Sequence, residues 1–252
     1  MPLHYARRLT GRRRSASANR QLGLVLAFVA GATNAGGFLA VHQYTSHMTG
    51  IVSAMADHLA LGEFRAYLGG FGALLSFIAG SACSAILVNL GRRRRLHSEF
   101  ALPLVLEALL LLGFGALGER LARIPGLFVP LTVMLLSFIM GLQNALITKL
   151  SHAEIRTTHI TGLVTDLGIE LGRLVYWNSP RAADLPPVRA NRERLGLLLG
   201  LAVSFFGGGV AGALGFKSIG YYATLPLALL LVTLASVPTL DDLSRLARGR
   251  RH

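Results

Sequence analysis

A single cysteine, a single tryptophan and 12 acidic residues are all that this chain of 252 residues holds of those types. One cysteine cannot close an intramolecular disulfide, which removes a disulfide framework and a thiolate metal site. Cys83 lies inside an apolar block and reads as a small packing residue. The acids are outnumbered by 25 Lys and Arg, for a formal net charge of +13. In a soluble chain that excess would suggest nucleic acid, but no basic-aromatic platform and no recognition motif accompanies it, so no nucleic-acid partner is expected. Catalytic signatures are missing as well. The histidines at 4, 42, 47, 58, 97, 152, 159 and 252 contain no HExxH pair. GFGALG at 113–118 has dinucleotide-site spacing but no preceding strand, and GALGFKS at 212–218 lacks the Gly-Lys of a phosphate loop. These absences lead us to expect no enzyme, no catalytic residue, no cofactor and no metal.

What is present is apolar sequence in long blocks: 52% of the residues are hydrophobic, and they are not spaced as amphipathic stripes. Blocks able to cross roughly 30 Å of hydrocarbon at 1.5 Å per residue fall at 22–41, 66–90, 100–118, 127–148, 195–216 and 221–237. Lipid leaves no partner for an open backbone, so all six should be helices. The fold class is therefore all-α, a polytopic membrane helix bundle with lipid as its main partner. The Arg-rich residues 1–20 followed by an apolar block resemble a targeting segment. No small-residue cleavage site separates that block from residues 45–50, so it is read as retained.

Two hexapeptides interrupt the apolar sequence: TSHMTG at 45–50 and TTHITG at 157–162. An offset of 112 aligns Thr45 with Thr157, His47 with His159, Thr49 with Thr161 and Gly50 with Gly162. Upstream, Gly31 and Asn34 of GATNA match Gly141 and Asn144 of GLQNA at an offset of 110. Downstream, Gly72, Ser76, Gly80 and Ser84 meet Gly200, Ser204, Gly208 and Gly212 at an offset of 128, and LPL recurs at 102–104 and 225–227. The common order points to duplication. The small residues spaced by four read first as ridges for close helix approach, which also makes a homo-oligomer plausible.

The segments after the hexapeptides are short or charged. Residues 48–61 would span about 21 Å as a helix and include Asp57, while 160–177 carries Asp166, Glu170 and Arg173. Both read as re-entrant or broken half-helices. If neither crosses, cytoplasmic regions hold 21 basic residues against 4 outside; if both cross the split is 18 to 7, and if only the second crosses it is 13 to 12. Positive-inside counting thus favours six full spans with both termini cytoplasmic. Three spans per half inverts one half relative to the other, giving two three-span inverted repeats whose motif breaks would meet near the bilayer midplane. The organisation predicted is a basic tail at 1–20, repeat 1 at 21–126, repeat 2 at 127–238 with a basic loop at 178–194, and a basic tail at 239–252.

An internal helix N-terminus offers donors and a favourable dipole end to a polar or anionic solute. The candidate binding residues are Asn34, Thr45, Ser46, His47, Thr49, Gly50, Gln143, Asn144, Thr157, Thr158, His159, Thr161 and Gly162. The bland reading makes Thr49 and Thr161 helix caps and lets His47 and His159 satisfy buried carbonyls. Histidine is the residue type suited to a charge switch, so proton coupling or pH gating is an expectation for this pair. Asp57, Glu107, Asp166 and Glu170 are the candidates for a proton or ion pathway, because burying an acid in a membrane is costly. Glu170 also has an ordinary partner within reach, Arg173 at i+3.

GATNA before TSHMTG and GLQNA before TTHITG, in a six-span pattern over about residues 20–240, resemble the YoaK family of small bacterial membrane proteins of unknown function. The resemblance implies the bacterial inner membrane and no established substrate. Asn34 stands where that family often has an acid, so no proton-carrying role is given to it. The function expected is a channel or secondary transporter for a small polar or anionic solute. The alternative is a non-transporting membrane scaffold or regulator.

Overall fold

A computed structural model describes residues 16–94, 96, 99–121, 125–150, 158–178 and 186–249. Among them the chain forms eight α-helices and no strand: α1 (Ala16–Val41), α2 (Met48–Ala60), α3 (Phe64–Arg93), α4 (Ala101–Leu121), α5 (Pro125–Leu150), α6 (Ile160–Val175), α7 (Arg192–Ile219) and α8 (Thr224–Gly249). A 3-10 turn, Gly220–Ala223, separates the last two. Proline sits in the first turn of α4 and of α8, as Pro103 and Pro226, where its missing N–H has no intrahelical partner to lose. Two helices are much shorter than the rest. α2 has 13 residues and α6 has 16, which at 1.5 Å each gives about 20 and 24 Å.

Five stretches are long and apolar enough to cross a membrane: Ser17–Val41, Phe64–Arg93, Ala101–Gly118, Val129–Leu150 and the 45-residue Arg192–Ser236. The last is not one helix. Gly220 at its break has φ 60°, a left-handed value that glycine adopts freely, and α7 and α8 pack against different partners. The bundle's outer surface is apolar, with Ile86, Leu199, Val203, Phe206 and Leu229 exposed. Its centre is filled by fully buried Leu22, Leu26, Leu136, Ile139, Met140 and Leu231.

Four close helix pairs set the architecture. Along α1 and α7, Leu24 meets Gly200, Phe28 meets Gly208, Ala32 meets Gly212 and Gly36 meets Phe216, so these two run parallel. α3 and α5 are also parallel: Gly72 meets Met134, Gly80 meets Phe138, and Lys149 Nζ donates to the Ala85 carbonyl at 3.4 Å. α1 and α5 run antiparallel, with Asn19 Nδ2 donating to Leu150 O at 3.3 Å and Gln143 Nε2 to Leu26 O at 3.2 Å. Near the end of α4, Gly118 meets Tyr221 of the 3-10 turn and Gly115 meets Thr224 at the start of α8, so that pair is antiparallel too.

The tightest contacts recur in matched pairs. A methyl group on Gly31 would strike the Phe205 carbonyl, and one on Gly141 would strike the Phe77 carbonyl. A methyl on Gly80 would strike the carbonyl of Phe138, and one on Gly208 that of Phe28. Gly31 and Gly141, like Phe28 and Phe138, lie 110 positions apart; Gly80 and Gly208, like Phe77 and Phe205, lie 128 apart. Glycine allows backbone-to-backbone approach at these crossings because any Cβ would occupy the neighbour's carbonyl.

Candidate functional site

α1 ends at Val41, and His42 just beyond it, with a φ of 55°, turns the chain out of the helix. The chain is then tied back: Ser46 Oγ donates to Asn34 Oδ1 at 2.9 Å, and the Ser46 amide reaches the same oxygen at 3.4 Å. The second hexapeptide is held the same way, with Thr158 Oγ1 donating to Asn144 Oδ1 at 2.7 Å. Asn144 spends its own N–H on the Met140 carbonyl at 2.9 Å. In each hexapeptide, then, a hydroxyl two positions into the motif is fastened to an asparagine on the preceding long helix.

The caps differ from the sequence reading. The N-cap residues are His47 and His159, with φ, ψ of −94°, 71° and −84°, 59°, and neither side chain makes a capping hydrogen bond. Thr49 and Thr161 lie one position inside the first turn and are exposed, so they cap nothing; the helices begin earlier than the threonines suggested. The glycines explain the histidines. A Cβ on Gly50 would collide with the His47 ring, and one on Gly162 with the His159 ring. Glycine at N3 thus lets each imidazole lie back over the first turn, beside backbone N–H groups that have no intrahelical acceptor. The His-x-Thr-Gly spacing is the sequence signature of that geometry.

Each capped end opens into a cleft. One, about 300 Å³, is lined by His42, Tyr44, His47, Gly50, Met55, His58 and Ala73. The other, about 560 Å³, is lined by Arg20, His159, Gly162, Asp166, Asn191, Arg194 and Leu201. The second is the charged one: Asp166 Oδ2 pairs with Arg194 at 2.9 Å, and Arg20 pairs with Glu193 at 3.2 Å. The clefts share no residue and lie at opposite ends of the bundle. Arg20 and His42, at the two ends of α1, are separated by 22 residues, about 33 Å along the helix. The motif residues themselves lie nearer one another: Ser46 is tied to Asn34 and Thr158 to Asn144, and the α1–α5 register sets these two asparagines about nine residues apart along the axis, roughly 14 Å. The short helices fold back antiparallel on α3 and α7, Ile51 and Met55 against Gly70 and Asp166 against Arg194.

The remaining candidates separate by environment. Glu170 is buried and fully engaged: Arg173 donates to it at 2.8 Å, and the Asn191 amide donates at 2.8 Å. Asn191 in turn caps α7 by accepting from the Arg194 amide at 3.1 Å. At the matching place in the first half, His58 Nδ1 lies 2.6 Å from Glu63 Oε2, and Glu63 is the N-cap of α3. Gln143 uses its amide to join α5 to α1, one position before the asparagine that holds Thr158. Thr45 is buried with no hydrogen-bond partner for its hydroxyl among the described residues. Asp57 is exposed on α2. Glu107 is completely buried in α4, and neither carboxyl oxygen has a partner among the described residues. Thr157 lies outside the described residues.

Arg20, His42, Tyr44, His58, Asn191 and Arg194 line the clefts without belonging to the motifs. Asn191 was findable, because Asn before an apolar run with Glu two positions on is a helix-start signal. The others carried no local signal; their role comes from how the short helices fold back.

Long apolar helices, an apolar exterior and polar clefts at the two ends of the bundle define an all-helical membrane protein. Residues 22–237 match the family described as protein of unknown function, DUF1275, and the chain belongs to that family. It is similar to the UPF0700 transmembrane protein YoaK of Bacillus subtilis strain 168, at 30% identity over 156 residues, which is 60% of this chain and 67% of the relative. No solved structure matches the chain.

Proposed function

We propose that this protein is a secondary carrier for a small polar or anionic solute, built as two inverted three-span repeats in a bacterial cytoplasmic membrane. The observation that carries the reading is the paired contact pattern. Gly31 on Phe205 is repeated as Gly141 on Phe77, and Gly80 on Phe138 as Gly208 on Phe28. The same correspondence relates Ser46 on Asn34 to Thr158 on Asn144. Since α1 and α5 run antiparallel, as do α4 and α8, elements that correspond by sequence point in opposite directions. The break at Gly220 supports reading α7 and α8 as two separate crossings, for a count of six. Both termini are then cytoplasmic by the excess of basic residues on that side.

Inverted halves that each end in the same polar cleft supply what alternating access needs: equivalent halves able to exchange conformations, so that one cleft or the other deepens toward the centre. A carrier fits better than an open channel because packed Leu26, Leu136, Ile139 and Met140 fill the space between the clefts. In each cleft an imidazole and first-turn N–H groups form the donor set for the solute. The test is flux into liposomes holding purified protein, with a panel of anions, polyols and weak acids. Saturable uptake of one class, lost in the double His47→Ala, His159→Ala protein, supports the reading. No uptake of any class by folded wild-type protein removes it and leaves the scaffold alternative.

A further inference from the structure

Glu107 lies six residues into α4, about 9 Å along the axis from its start. That start is at the end of the bundle carrying the charged cleft: Gly91, near the end of α3, meets Glu99, while Asn89 on α3 holds Lys149 of α5, and Leu150 holds Asn19. The carboxyl group has no exposure and no partner among the described residues. Among the described side chains, the packed elements offer it no cation. α3 carries Arg65, Tyr67, Cys83, Arg92 and Arg93; Arg92 is engaged with Glu99 at 3.3 Å, and Arg65 lies in the first turn at the far end. α5 carries Lys149, which is bonded to Ala85 O and Asn89. The turn carries Tyr221 and Tyr222, with Tyr221 packed on Phe114 and Phe216. Described side chains of α8 include no titratable group.

Packing alone does not require an acid here. The LPL match at an offset of 123 sets Leu230 of α8 opposite Glu107 in the repeat, so the corresponding helix does without one. Seven residues inward from Gly91 on α3, as Glu107 is eight inward from Glu99, Ser84 is a buried hydroxyl that also has no partner among the described residues. An unpaired carboxylate in such surroundings is too costly to persist, whereas the neutral acid is tolerated.

We propose that Glu107 is a proton-binding site within the membrane, protonated while the core is closed and releasing its proton toward the charged cleft when the helices around α4 admit water. Resting on the carrier reading, this makes transport proton-coupled through a single acid, since the other half has leucine. The experiment treats wild-type protein in phosphatidylcholine–phosphatidylglycerol vesicles with dicyclohexylcarbodiimide. That apolar reagent adds the O–H of a protonated carboxyl across its C=N bond and rearranges to a stable N-acylurea. Mass spectrometry of the peptide holding Glu107 should show the adduct, diminishing as pH rises and absent in Glu107→Gln. Glu107→Leu, copying Leu230, should unfold at the same temperature or above, which separates lost labelling from lost folding. No adduct at any pH on folded wild-type protein overturns the proposal. So does solute uptake in Glu107→Gln that still follows an imposed pH gradient as wild type does. Adduct formation without uptake of any solute by wild-type protein leaves the proton site standing and removes the carrier reading instead.

Discussion

Gly31 lies directly against the carbonyl oxygen of Phe205, where a side chain of any size would collide with backbone. Neither helix can yield without disturbing its own hydrogen bonds. We expect Gly31→Ala to cost about 1–3 kcal/mol or more, the range for forcing volume into a packed core, and Gly141→Ala to cost a similar amount at Phe77. Gly207→Ala is the control. It adds its methyl where nothing lies within 4 Å, and replacing a mid-helix glycine should gain up to about 1 kcal/mol. Thermal unfolding in detergent separates the two; equal shifts at Gly31 and Gly207 would contradict the close crossing.

The asparagine tethers should behave as a pair. Asn34→Ala frees Ser46 and Asn144→Ala frees Thr158, and both hydroxyls are partly open to water. Each loss should therefore be near about 1 kcal/mol, the net worth of an ordinary hydrogen bond. Chemical-denaturant unfolding of the two single variants measures it. A large loss at one and none at the other would break the correspondence between the halves.

The two hexapeptides were legible because duplication repeats them, and the long helices because apolar runs of that length have few other uses. The histidine caps were not, since Thr49 and Thr161 are the stronger cap formers by type and only the collision at Gly50 and Gly162 reveals the imidazoles' position. The lie of the short helices was illegible too, because α2 and α6 fold back along α3 and α7 through tertiary contacts such as Met55 on Gly70 and Asp166 on Arg194. Gln143, read as a solute contact, spends its amide on Leu26 because that carbonyl lies across the helix pair.

Glu170 should matter more for stability than either surface pair beside it. Its carboxylate is buried and accepts from both Arg173 and the Asn191 amide. Glu170→Ala leaves a backbone donor at the start of α7 without its acceptor, which should cost about 1–3 kcal/mol. Arg173→Ala should cost less, because that side chain is 48% exposed and water screens the pair. Unfolding midpoints of the two variants decide the order. The reverse order would mean that Glu170 is held for its charge on Arg173 and not for anchoring α7.

The opposed direction of the halves can be read on intact cells. Arg65 lies in the first turn of α3, at the end of the bundle with the His47 cleft, and Val188 lies just before α7, at the end with the His159 cleft. Arg65 is exposed, and Val188 is 38% exposed, so a thiol at either place can meet reagent. In a Cys83→Ser background, Arg65→Cys should react with a membrane-impermeant maleimide added to whole cells or spheroplasts. Val188→Cys should react only once the membrane is opened. The basic residues near Val188 dictate that order, because arginines are retained on the cytoplasmic side. Reaction of both from the same side would place the two clefts on one face, and with that the exchange of conformations between inverted halves would lose its structural basis.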